Sequence, residues 1–77
     1  MALGVYPNPA TDELTIVLSD PVENARFTIQ DLQGRIVQQG LFQGERTTVT
    51  VKGLAPGPYL VRLHREDEMF VKQFVVE

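Results

Sequence analysis

Apolar and polar residues alternate with a period of two along most of this chain, and turn-forming residues interrupt the alternation at short intervals. No helical periodicity is visible. Leu14, Ile16 and Leu18 point one way and Thr15, Val17 and Ser19 the other, until Asp20-Pro21 stops the run and Pro21-Val22-Glu23-Asn24 predicts a turn. Ala25, Phe27 and Ile29 then alternate with Arg26, Thr28 and Gln30, the pattern of an antiparallel strand with one wet face. In Asp31-Leu32-Gln33-Gly34 the Asp can bond backbone amides and the Gly accepts positive φ, so a tight hairpin leads into a strand over Arg35 to Gln39, closed by Gly40. Leu41 and Phe42 are expected to cover the end or edge of the core. Gln43-Gly44 turns again, and Thr47 to Val51 forms a strand with Val49 and Val51 inward.

The longest break, Lys52 to Pro58, holds two glycines and two prolines and predicts a crossing between sheets. Beyond it Tyr59, Val61 and Leu63 face the core against Leu60, Arg62 and His64, and Arg65-Glu66-Asp67-Glu68 makes a polar hairpin turn into a last strand, Met69 to Val76. Two phases of that strand stay open: Val71 and Val75, or Phe70 and Phe74, as the buried set. The pattern admits a further short strand over Leu3 to Tyr6, for about seven in all, and predicts an all-β sandwich of two packed sheets, with a small barrel as the alternative.

Composition narrows the function classes. A chain of 77 residues buries too little surface to divide into two cores, so it is one domain. With 43% hydrophobic and 22% charged residues it has the makeup of a folded protein. Seven basic residues against ten acidic ones give a net charge of −3, which offers no cationic field to nucleic acid or anionic lipid. The absence of cysteine removes disulfides, thiol catalysis and thiolate metal sites. No stretch approaches the ~18 apolar residues of a membrane helix, and Met1-Ala2-Leu3-Gly4 lacks the regions of a signal peptide. If the protein is exported, its signal is expected elsewhere in a longer precursor; residues 1–4 are expected to be an artificial start or linker remnant and residues 5–77 the domain.

Candidate chemistry is sparse. His64 is the single histidine and falls on the outward phase between Arg62 and Arg65, as a solvated side chain rather than a catalytic base or zinc ligand. Asp12-Glu13 flanks a strand start and Glu66-Asp67-Glu68 fills a hairpin tip, without the staggered spacing of a calcium loop. The glycines match no phosphate-binding loop, so no catalytic residue, metal or cofactor is expected. A sugar-binding module needs exposed aromatic platforms, and with no Trp only Phe42 and one of Phe70 or Phe74 remain as exposed exceptions.

The order of the motifs is more specific than any one of them. Pro7-Asn8-Pro9-Ala10 precedes Leu14-Thr15-Ile16, and Phe27 to Asp31 precedes Leu32-Gln33-Gly34-Arg35. Leu54-Ala55-Pro56-Gly57-Pro58-Tyr59 then precedes Val71-Lys72-Gln73-Phe74-Val75-Val76. From about Val5 to Glu77 this series resembles the C-terminal sorting domain, type A, of the type IX secretion system. The resemblance implies an Ig-like Greek-key β-sandwich of about seven antiparallel strands, and a non-catalytic signal at the end of an exported cargo.

The partners it implies are the outer-membrane translocon, a surface sortase-like cysteine peptidase that usually removes the domain, and a cargo domain fused upstream. The route runs through the periplasm to the outer-membrane surface or the extracellular space. The recognition residues it implies are Pro7, Asn8 and Pro9 at the entry, Asp31 and Gly34 in the hairpin, Leu54, Gly57 and Tyr59 in the late loop, and Lys72, Val75 and Val76 in the last strand. Each also has a plain structural reading: glycines for backbone conformation, Tyr59 for packing, prolines to stiffen the entry. Pro58 and Glu77 depart from the residues more usual in the family. The competing function is an Ig-like or fibronectin-like spacer or adhesion module of a cell-surface protein.

Overall fold

A computed structural model describes residues 3–77; Met1 and Ala2, half of the expected remnant, and the side chains of Pro21, Val22 and Gln43 lie outside the described residues. Among the described residues five extended runs follow in chain order: β1 (Leu3–Tyr6), β2 (Glu13–Asp31), β3 (Ile36–Thr50), β4 (Gly57–Arg65) and β5 (Glu68–Val76). All the pairs between these strands are antiparallel.

At 19 and 15 residues, β2 and β3 are far longer than an ordinary strand, and each bends in the middle. Their register shifts between Val17 and Val22 and again between Val22 and Ala25, where Asn24 has φ 60° and Gly44 φ 81°. The first half of β2 pairs with β1 and with the second half of β3, from Glu13↔Thr50 to Val17↔Arg46. The second half of β2 lies between the first half of β3 and β4, and β5 completes that sheet beyond β4. The result, among the described residues, is seven antiparallel segments in two sheets, three in one and four in the other, an Ig-like β-sandwich. The chain changes sheets inside β2, inside β3, and again over the glycine- and proline-rich break before β4.

The alternation read from the sequence fills the core. Leu14, Ile16, Ala25, Ile29, Val61 and Leu63 are fully buried, and Phe27, Val49, Val51 and Tyr59 nearly so. The last strand settles its phase with Phe74 and Val76 inward and Met69, Val71 and Val75 outward.

Three local expectations are corrected. Pro21 to Asn24 and Gln43-Gly44 are bends within continuous strands rather than turns between separate ones, with Val22↔Gly44 still paired across the bend. Phe42 is fully buried instead of exposed, because β3 swings it between the sheets as it changes layer. Its neighbour Leu41 takes the outward phase and is 64% exposed.

Candidate functional site

The entry segment and the last strand are joined. Asn8 Oδ1 accepts the Val75 N–H at 3.0 Å, the Ala10 N–H donates to the Val75 carbonyl at 2.8 Å, and the Glu77 N–H donates to the Ala10 carbonyl at 2.9 Å. Ala10 makes a parallel bridge to Val76 and is fully buried. Pro7, Asn8 and Pro9 stand exposed beside it, with cis peptide bonds before both prolines. Val75 thus turns its N–H and C=O away from β4, so Pro58 opposite it sits at a non-hydrogen-bonded position, where the missing amide donor removes no ladder bond to β5.

The hairpin between β2 and β3 is organised by Asp31. Its Oδ1 accepts the backbone N–H groups of Gln33 (2.9 Å) and Arg35 (3.0 Å), and its Oδ2 accepts Arg35 Nε at 2.8 Å. The Gly34 N–H closes the turn onto the Asp31 carbonyl at 3.0 Å, with φ 92°, a conformation that disfavours any residue with a Cβ. The Arg35 guanidinium, followed by its backbone N–H, holds the Asp31 carboxyl below the usual range.

The late loop is tied by Tyr59, whose hydroxyl donates to the Ala55 carbonyl at 2.6 Å. The Tyr59 ring stacks on Phe74 with centroids 5.8 Å apart. Leu54 is half-buried and packs against the core, with its N–H bonded to the Val51 carbonyl. Gly57, with φ 144°, starts β4 opposite Val76.

Register brings these parts to one end of the sandwich. Asp31, Tyr59 and Phe74 stand side by side across β2, β4 and β5, and the next pairs are Pro58↔Val75 and Gly57↔Val76. A shallow depression of about 280 Å³ joins the hairpin to the late loop, between Asp31, Arg35, Gly57 and Tyr59. Pro7, Asn8, Pro9, Asp31, Gly34, Leu54, Gly57, Tyr59, Val75 and Val76 therefore share this end. Lys72 stands apart, exposed and opposite Val61 farther up β5.

Three contributors were not among the expected site residues: Ala10, Arg35 and Phe74. Arg35 carries a readable signal, an opposite charge four residues after Asp31 across a turn. Ala10 and Phe74 act through partners distant in sequence. His64 lies on the outer face opposite Arg26 and Met69, and no group of three or more His, Cys, Asp or Glu that could hold a metal ion occurs among the described residues.

Comparison with known proteins agrees with the motif order. No curated protein matches the chain. Among solved structures, PorZ, an essential bacterial surface component of the type IX secretion system of Porphyromonas gingivalis, superposes with a TM-score of 0.84 at 24% identity. The match covers 97% of this chain and 11% of that one, so this fold spans about a tenth of PorZ. The family model described as the secretion system C-terminal sorting domain matches residues 4–77, and the chain belongs to that family, whose role is a type IX secretion signal and is not catalytic.

Proposed function

We propose that this chain is the address label of an exported cargo fused upstream, and that the type IX translocon reads it at the end where the entry segment clasps the last strand. The clasp is the observation that carries the reading. Asn8 and Ala10, on the cargo side, hold Val75 to Glu77, so a receptor that engages the terminal strand engages a surface present only when the domain has folded. In this reading Pro7, Asn8, Pro9, Val75 and Val76 form the primary contact, with the Asp31–Gly34 hairpin and the Leu54–Tyr59 loop beside it and Lys72 as a charged contact farther along β5. Residues 5–77 form the label, and a sortase-like cysteine peptidase cuts upstream of it once the cargo has passed from the periplasm to the cell surface.

The test fuses the full chain to a periplasmic reporter in a host with a type IX system. The reporter is expected at the cell surface or in the medium; a reporter left in the periplasm overturns the proposal. Asn8→Ala should lower export while the domain stays folded, with faster amide exchange confined to Val75 and its neighbours as the sign that the clasp has opened. Normal export with an opened clasp would mean that the clasp is scaffold and recognition lies elsewhere.

A further inference from the structure

The outer face of the four-stranded sheet has a charge pattern that neither the family assignment nor the clasp uses. Register sets Leu41, Arg26, His64 and Met69 in one row across β3, β2, β4 and β5, and Gln39, Thr28, Arg62 and Val71 in the next. Each row has cationic or hydrogen-bonding side chains at its centre. At the flanks Leu41, Met69 and Val71 are 64%, 52% and 46% exposed. Neither row contains a carboxylate, in a chain that carries more acidic than basic residues. Glu68, at the adjoining hairpin, is already engaged by Arg65.

A depression of about 420 Å³ is lined by Arg26, Thr28, Gln39, Gly40, Leu41 and His64. Thr28 Oγ1 and Arg62 Nε are shielded from water and have no hydrogen-bond partner, while Arg62 Nη1 makes a long contact to Met69 Sδ at 3.8 Å. Buried polar groups without a partner are exceptions in folded proteins, and an acceptor on this face gains bonds to them when the covering side chains turn aside.

We propose that this face docks an extended segment of a protein partner that presents a carboxylate between apolar side chains. The carboxylate sits over Thr28 between Arg26 and Arg62, and the apolar neighbours cover Leu41 on one side and Met69 and Val71 on the other. Arg and Met are residue types enriched at protein interfaces, and apolar flanks around a desolvated charge are the anatomy of such a contact. A polyphosphate chain is disfavoured by the net charge of −3, and the face has no aromatic platform for a sugar ring. The surface is distinct from the clasped end, so the domain can be held at both.

The experiment titrates the full isotope-labelled chain with a capped extended peptide carrying Leu-Ser-Glu-Ser-Leu, which sets one glutamate between two leucines on a single face, and follows backbone amide shifts. Shifts are expected to cluster at Arg26–Thr28, Gln39–Leu41 and Arg62–His64 and to weaken as salt rises. Affinity should fall by about tenfold or more in Arg26→Glu/Arg62→Glu. If that variant loses shift dispersion, Arg26→Gln and Leu41→Ser, both at exposed positions, carry the same test with a smaller loss. Scattered shifts, equal binding by the variants, or equal binding of the same peptide with lysine in place of its glutamate overturn the proposal. So does the same response to inorganic phosphate alone or to polygalacturonate, which would mark a simple anion or glycan site. Because binding is read on the isolated chain, its failure is separate from a failure of export.

Discussion

Where β2 hands over to β3 and β4 begins, backbone groups that leave the ladder are taken up by side chains: Asp31 caps Gln33 and Arg35, Tyr59 holds Ala55, and Asn8 holds Val75. At the opposite end, where β2 and β3 bend, the ladder itself continues through Val22↔Gly44, and the deviation is absorbed by positive φ at Asn24 and Gly44. The first solution needs particular donors and acceptors at particular spacings. The second needs only residues that tolerate the left-handed region, so it leaves a generic signature. Motifs therefore crowd at the first end, and the sorting-domain resemblance is carried mainly by the residues that tie that end.

At the motif-bearing end the most sensitive position is Phe74. It is fully buried and stacked on Tyr59, so Phe74→Ala should lower stability by about 3–5 kcal/mol, measured by urea denaturation. Val75→Ala, one residue on and 37% exposed, should change it by less than about 1 kcal/mol. Similar losses for the two would mean that the ring pair does not anchor the motif end.

Toward the bend the sensitive position is Gly40. A Cβ added there would lie 2.9 Å from Phe27 Cε1, on a ring that is itself buried, so Gly40→Ala should cost about 1–3 kcal/mol through overpacking. At Gly4 nothing lies within 4 Å of the same added atom, and Gly4→Ala should be neutral or gain about 0.5–1 kcal/mol. The sign of the difference separates close approach from strand propensity.

Tyr59→Phe keeps the stack and removes the hydroxyl that donates to Ala55, for a loss of about 1 kcal/mol in the same assay. Amide exchange should quicken from Ala55 to Gly57 and remain unchanged at the bend. A uniform increase would mean that the loop and the core open together.

How far the sequence is legible follows the same division. The inward sets from Leu14 to Leu18, Ala25 to Ile29 and Tyr59 to Leu63 read directly, since each of these strands has one wet face and a polar residue at every second position. The last strand does not, because Val71 and Val75 are as apolar as Phe70 and Phe74. Its phase depends on stacking with Tyr59, fifteen residues earlier in the sequence. Proline, asparagine and glycine signal a departure from the ladder without distinguishing a turn from a bend, so Pro21 to Asn24 reads as a turn. In the sequence the site residues stand in separate motifs; what joins Asn8 to Val75 is a contact across 67 residues that no local pattern encodes.

The smallest expected effect is the most specific to the hairpin. Arg35 and the two backbone N–H groups stabilise ionised Asp31, so its folded pKa lies below the unfolded value of 3.8. For a carboxyl depressed in this way, the stabilisation is fully present above the unfolded value and is lost as pH falls through the lower folded one. Asp31→Asn should therefore be less stable than the parent chain at neutral pH, and the gap between their urea midpoints should close as pH drops below 3.8. Arg35 is 78% exposed on its side chain, so added salt should shrink the gap at neutral pH as well. A gap that persists in acid would assign the effect to the backbone hydrogen bonds that an amide accepts less well, and would remove the ion pair from the account of why the hairpin holds its shape.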